Sequence, residues 1–288
     1  MIAIIGATGT IGSELLKRLS DLRVPALALS REPEKLRAQL GGAGKPTIEV
    51  KAADASDPES LRRAFVGAKQ LFLAMSNSPR QIEYEVSIIR LAAEAGIEHI
   101  VKISSPAYEE RSPVAVAGWH RDIESVLNES GVTRTVLRPY AFMQNLLRHV
   151  STIKAQDAFF GVMGDALCNF IDCRDIADVA AEVLTNREAA GRIYTLTGTE
   201  IYSYPQIADK LSDLLGKTIR YINMEPRTML RNLIEQVKMP PWLANHVVEI
   251  QTMSTLVPER PTDDVKRLLG REPRTLDGFL QENAEIFR

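Results

Sequence analysis

The sequence predicts an α/β fold, a doubly wound parallel sheet with a smaller, mostly helical C-terminal lobe. Three observations predict it. Short apolar runs alternate with amphipathic ones over the first half of the chain, a spaced glycine turn joins the first run to the second, and beyond Gly198 the pattern turns mostly helical.

The first run, Ile2, Ile4 and Ile5, reads as a short buried strand. Gly6, Gly9 and Gly12 follow, and then Leu15, Leu16 and Leu19 mark one face of a helix whose other face carries Lys17 and Arg18. A strand, a glycine turn and a helix in succession form a site for a pyrophosphate, which needs backbone N–H groups pointed at it, no β-carbons in the way and a favourable helix dipole. Gly6 permits the tight turn, Gly9 the approach of phosphate and Gly12 the packing of helix on strand, with Thr8, Thr10 and Ile11 completing the cradle. Residues 24–29 are a second strand at the βαβ distance, so the opening reads as a Rossmann dinucleotide motif. Where an acid would take a ribose 2′-hydroxyl, the chain has Ser30 and Arg31, with Lys35 one turn on. That favours NADP(H) over NAD(H). Glu32 and Glu34 are read as caps at the start of the next helix.

Residues 47–52 are strand three and Pro58–Phe65 a short helix; 69–74 are strand four and Gln81–Glu94 a long helix. Strand five covers 98–103, a helix 114–128 and strand six 132–137, with Gly96 and Gly131 closing helices. Six strands with crossover helices imply parallel, right-handed connections. Residues 1–152 form the NAD(P)-binding Rossmann domain and 153–288 a smaller substrate-binding lobe, of which about 167–197 returns to the main sheet or its edge. The lobe continues as helices over Tyr204–Leu215, 228–237 and 241–256, with two short C-terminal pieces.

Composition agrees. The 288 residues are 45% apolar and 25% charged with a formal net charge of −2, so bulk electrostatics suggest neither nucleic acid nor an anionic membrane as partner. No apolar run is long enough to span a bilayer, and no basic region precedes the first strand. Cys168 and Cys173 form neither a disulfide framework nor a zinc pattern, which fits a cytoplasmic enzyme without a metal. The expected partner is a small-molecule substrate; a homodimer is left open.

Ligands of such sheets bind beyond the carboxyl ends of the strands. After strand three, Asp54 faces the adenine amino group or, like Asp57, caps the helix that follows. Ala74, Met75 and Ser76 border the ribose and nicotinamide, and Ser104 and Ser105 follow strand five. Tyr140 lies at the cofactor, and Phe142, Met143 and Asn145 line the substrate side. Phe159, Phe160 and Trp242 are further candidates for that wall, with core as the other reading of an aromatic residue. Asp172 and Asp175 are read at least in part as helix-start residues.

The G-x-x-G-x-x-G spacing with Ala7 and Thr8 inside it resembles the extended short-chain dehydrogenase/reductase superfamily. Where classical members carry a tyrosine and, four residues later, a lysine, this chain has His120 and Glu124. Together with 129–145, 170–180, 194–198 and 261–275, these features make the chain similar to the NmrA-like group of atypical short-chain dehydrogenases. That group includes NADPH-dependent quinone and triphenylmethane reductases, isoflavone-type reductases and NADP-sensing regulators. The resemblance implies an NADPH-dependent oxidoreductase acting on a small electrophile such as a quinone or related carbonyl or enone. The alternative is a catalytically silent NADP(H) sensor acting through a protein partner. In the first reading His120 is a proton donor and Glu124 favours its protonated form or orients it; the other reading of these two residues is a helix-surface pair beside Arg121 and Asp122.

Overall fold

In the computed structural model, residues 1–41, 47–106, 114–256 and 259–288 are described. In chain order the elements begin β1 (Ile2–Ile5), α1 (Thr10–Asp21), β2 (Ala26–Ser30), α2 (Pro33–Gln39), β3 (Ile48–Ala52), α3 (Pro58–Phe65) and β4 (Gln70–Leu73). They continue α4 (Gln81–Glu94), β5 (His99–Ile103), α5 (Ala115–Glu129), β6 (Thr133–Pro139), β7 (Ala141–Phe142), a 3₁₀ turn over Met143–His149, α6 (Val150–Gln156), β8 (Ala158–Gly161), β9 (Cys168–Ile171), α7 (Cys173–Thr185) and β10 (Ile193–Leu196). The remainder is β11 (Ile201–Tyr202), α8 (Tyr204–Leu215), β12 (Arg220–Asn223), α9 (Pro226–Glu235), α10 (Pro241–Ser254), α11 (Asp264–Leu269), α12 (Leu276–Glu282) and α13 (Ala284–Phe287).

The chain divides into two compact units. The first comprises the chain from β1 to the end of β5, then Ala117–Pro139 and Cys173–Thr195; the second includes Tyr140–Asp172 and Leu196–Arg288. The sheet of the first has the order β10-β6-β5-β4-β1-β2-β3. From β3 across to β6 every pairing is parallel. The order reverses between β1 and β4, which is where the crevice of a doubly wound sheet opens. A parallel sheet covered on both faces needs strands that are apolar throughout, and β1 is accordingly buried along its whole length. The core on one face gathers Leu27, Phe65, Leu71, Ile88, Ile100 and Leu127. On α1, Leu15, Leu16 and Leu19 are buried, and its Arg18 Nε lies 3.3 Å from Asp178 of α7. Asp57 caps α3 by accepting from the Glu59 N–H at 3.0 Å. Gly96 and Gly131 take left-handed φ of 77° and 74° after their helices. At the amino ends of the strands, His99 Nε2 lies 2.8 Å from Thr135 Oγ1, and Gln70 Nε2 donates to the Leu184 carbonyl at 2.8 Å.

The second unit is built on a cluster including Phe159, Phe170, Tyr204, Ile207, Phe279 and Phe287. Two small sheets belong to it: β11-β9-β7, and the parallel pair β12-β8. Neither β8 nor β12 is among the strands the sequence predicts. Of the returning segment, β10 takes the edge of the main sheet, whereas β9 stays in the second unit, antiparallel to β11 and parallel to β7. Asn169 explains the difference: its side chain accepts from the Gly198 N–H at 2.8 Å and donates to the Gly198 and Glu200 carbonyls at 3.0 and 2.9 Å, drawing the later segment onto β9. A β-carbon on Gly198 would lie 2.2 Å from the Phe170 carbonyl oxygen, so this close approach requires glycine. Among the described residues no helix is long and apolar enough to cross a membrane.

Candidate functional site

The turn after β1 is shaped by two glycines that cannot be replaced and one that faces solvent. Gly6 has φ of 87°, and a β-carbon there would lie 1.9 Å from the Ala74 carbonyl oxygen at the end of β4. A β-carbon on Gly12 would fall 2.1 Å from the Gly6 carbonyl oxygen, so Gly12 lets the helix pack on the turn itself. Gly9 is the exposed N-cap of α1, with no side-chain cap hydrogen bond. Its own N–H closes the turn onto the Gly6 carbonyl at 2.9 Å, and its carbonyl accepts the bond that opens the helix, from the Ser13 N–H at 2.9 Å. The N–H groups of Thr10, Ile11 and Gly12 lie ahead of that bond, as the first donors of any helix do. Bare backbone, a helix dipole and no β-carbon at Gly9 make this cradle fit a pyrophosphate.

At the end of β2, Ser30 is half-buried and Arg31 exposed. Ser30 Oγ accepts from the Glu32 N–H at 3.0 Å. Glu32 occupies the N-cap of α2, but its side chain makes no cap bond; it lies 3.4 Å from Lys35 Nζ instead. The expectation that Glu32 acts as a cap is therefore corrected: its carboxylate turns outward to Lys35 instead of back to the N–H groups of the first turn. Glu34 does stand in the first turn and pairs with Arg37. At the end of β3, Asp54 Oδ1 accepts from both the N–H and the Oγ of Ser56 at 2.8 Å. These bonds lower its pKa, with burial opposing them and Arg31 adding a smaller favourable charge effect. Asp54 thus shapes the loop and leaves the capping of α3 to Asp57. Ala74 and Met75 are half-buried and Ser76 is exposed at the end of β4.

The ends of β5, α5 and β6 converge on two polar centres. Glu124 accepts from Ser104 Oγ at 2.5 Å and from Arg138 Nε and Nη2 at 3.2 and 2.5 Å. Its carboxylate therefore ties β5 to β6, which corrects the expectation that it serves His120: both oxygens are engaged by groups from the neighbouring strands. The second centre was not foreseen. Lys102, fully buried in β5, donates to Glu85 Oε2 of α4 at 2.6 Å and to the Ile103 carbonyl at 3.0 Å, and its Nζ lies 3.2 Å from His120 Nδ1. Gln81 Nε2 donates to the other oxygen of Glu85 at 2.8 Å. His120 is 7% exposed, so the reading of a helix-surface histidine is also corrected. A lysine inside HIVKI and a glutamate among the apolar positions of α4 were the signals in the sequence, since neither charge is buried unpaired. Ser105 Oγ makes a weak 3.4 Å contact with the Pro106 carbonyl.

Of the residues expected along the substrate, Tyr140, Phe142, Asn145 and Trp242 of the second unit are half-buried. Met143 is 1% exposed and belongs to the core cluster, as does Phe159; neither lines an open wall, because apolar neighbours enclose both. Burial raises the pKa of the Tyr140 hydroxyl, and Glu259 and Cys168 add to the effect. Gln144 Nε2 donates to Asp172 at 2.9 Å.

A family model described as the NmrA-like family matches residues 1–280. The chain is 30% identical to the NAD(P)H azoreductase of Xenophilus azovorans, over all of this chain and 99% of that protein. It is 32% identical to the (4-alkanoyl-5-oxo-2,5-dihydrofuran-3-yl)methyl phosphate reductase of Streptomyces griseus, with 100% and 99% of the two chains covered. Among solved structures, the NADPH-dependent quinone oxidoreductase of Escherichia coli in complex with NADPH superimposes with a TM-score of 0.86 at 27% identity, covering 99% of each chain.

Proposed function

The chain belongs to the NmrA-like family, and on that footing we propose that it is an NADPH-dependent reductase of a small, flat, electrophilic organic molecule, a quinone or a related carbonyl or enone. The observation that carries the reading is the turn of Gly6, Gly9 and Gly12, whose backbone is bare where a pyrophosphate would sit. A bound nicotinamide supplies the hydride, and the protein supplies position and electrostatics.

In this reading the N–H groups of Thr8, Thr10, Ile11 and Gly12 hold the pyrophosphate, and Gly9 keeps the approach clear of a side chain. Ser30 and Arg31 take the 2′-phosphate, and Lys35 adds charge at longer range while sharing it with Glu32. Asp54 borders the adenine; Ala74, Met75, Ser76 and Ser104 border the ribose and nicotinamide. Ser105 contacts the substrate from the end of β5. His120 is the polar group offered to the reacting oxygen. Glu124 acts through Ser104 and Arg138 as a positioning residue. Turnover is favoured over a silent sensor because two relatives matched at 30% and 32% over whole chains are named as reductases.

Pre-steady-state oxidation of NADPH, on mixing with a panel of quinones, enones and azo dyes, tests the proposal. Accelerated oxidation with at least one class is the expected result. None with any class would overturn the reductase and leave the sensor.

A further inference from the structure

We propose that Lys102 is a positioning residue that holds His120 as the neutral Nε2–H tautomer, so that the imidazole serves the substrate as an uncharged hydrogen-bond donor rather than as an imidazolium acid. The proposal deepens the reductase reading and rests on it.

An ammonium group has three N–H donors and no acceptor. Lys102 Nζ is within hydrogen-bond distance of three groups: Glu85 Oε2 at 2.6 Å, the Ile103 carbonyl at 3.0 Å and His120 Nδ1 at 3.2 Å. The first two are acceptors by nature, so the third must be one too, and Nδ1 presents its lone pair. The ring proton then stands on Nε2. A proton on Nδ1 would point N–H at N–H and abolish that hydrogen bond, and a doubly protonated ring would in addition set two cations face to face where Lys102 is wholly buried.

Two nearby carboxylates are held by other partners. Glu85 of α4 binds Lys102 and Gln81, and Glu124, one turn along α5 from His120, binds Ser104 of the β5 end and Arg138 of β6. The ion pair of Lys102 and Glu85 is therefore a device that fixes a tautomer. A neutral imidazole keeps its proton at neutral pH. Its contribution is to stabilise negative charge developing on a substrate oxygen, and turnover should show no histidine titration between pH 6 and pH 8.

The test is ¹⁵N NMR of the full chain labelled at histidine, with the His120 signal identified by its loss in His120→Gln. The native protein should show the Nε2–H pattern from pH 6 to pH 8, with and without NADPH. An Nδ1–H or doubly protonated ring at pH 7 overturns the proposal, and this measurement needs no variant at Lys102. Lys102→Met alone would strand Glu85, so Lys102→Met is combined with Glu85→Gln. The double variant should show mixed tautomers, and its kcat with a quinone should acquire a pH dependence that the native enzyme lacks while KM stays within about twofold. An unchanged tautomer in a folded double variant also overturns the proposal. Loss of turnover by about a hundredfold in His120→Phe, partly recovered in His120→Gln, which keeps an uncharged N–H donor, supports the donor role. Absence of native turnover with every quinone would sink the reductase reading instead, and the native NMR result would still decide what Lys102 does.

Discussion

Gly6 and Gly9 stand three residues apart in one turn and answer to different demands. At Gly6 the left-handed backbone and the Ala74 carbonyl exclude any side chain, so Gly6→Ala should destabilise the fold by at least the ~1–2 kcal/mol of the backbone alone. At Gly9, φ is −78° and ψ 170°, and an added β-carbon meets only the Gly6 carbonyl oxygen, at 3.2 Å. Gly9→Val is therefore expected to fold, with a melting temperature lowered by the ~1 kcal/mol of a poorer N-cap, while losing most of its NADPH affinity; circular dichroism beside calorimetric titration checks both. Unaltered NADPH affinity in the folded variant would remove the pyrophosphate from this turn. Arg31 is exposed near Asp54 and free of the fold's core. Arg31→Ala should weaken NADPH by roughly ten- to hundredfold, the scale of a hydrogen bond to a charged group, with NADH nearly unchanged. Equal losses for the two cofactors would show that Arg31 does not read the 2′-phosphate.

Among the elements, β5, α5 and β6 are joined by a carboxylate whose side chain is 15% exposed against an arginine 20% exposed. Glu124→Ala would leave Arg138 and Ser104 without that partner, at a cost of about 1–3 kcal/mol, read as a lower urea midpoint. Glu124→Gln should recover part of it. A Glu124→Ala protein as stable as the native one would show that the clamp is idle. The helix Pro58–Phe65 matches its predicted bounds because Asp57 caps it and Pro58 opens it, and Gln81–Glu94 because its apolar pattern runs from just after Pro79 to just before Gly96. The clamp was not legible, since spacing within one helix cannot reveal that Arg138, fourteen residues on, returns beside Glu124. The same holds for Lys102 and Glu85, which meet across two elements. The strands β8 and β12, four residues each, are too short to show alternation, and β9 resembles a strand of the main sheet until Asn169 is seen to hold Gly198.

For the molecule as a whole, three of its four histidines bear on stability in the same direction. Burial lowers the pKa of His99, His149 and His246, and for His149, packed on Phe159 at a ring distance of 5.2 Å with Arg148 adding its charge, the value falls to about 4. The unfolded chain takes up these protons near pH 6.5 and the folded chain only at lower pH, so the unfolded state gains stability as pH falls. The contribution is fully present above pH 6.5 and, for His149, is lost between there and about pH 4, at no more than about 1.4 kcal/mol per pH unit. Glu259 acts oppositely: burial raises its pKa, so its contribution is greatest when it is protonated and declines as pH rises through its folded value. With three histidines against one carboxyl group, the melting temperature should fall between pH 7 and pH 5. His149→Phe keeps an aromatic ring against Phe159 and Tyr204 but cannot be protonated, so its melting temperature should fall less over the same interval. His99 belongs to the first unit and His149 to the second, so if the units melt separately the variant should flatten only one of the two transitions. Scanning calorimetry at half-unit pH steps measures this, and an equally steep decline in His149→Phe would exclude His149 as a source of the acid sensitivity.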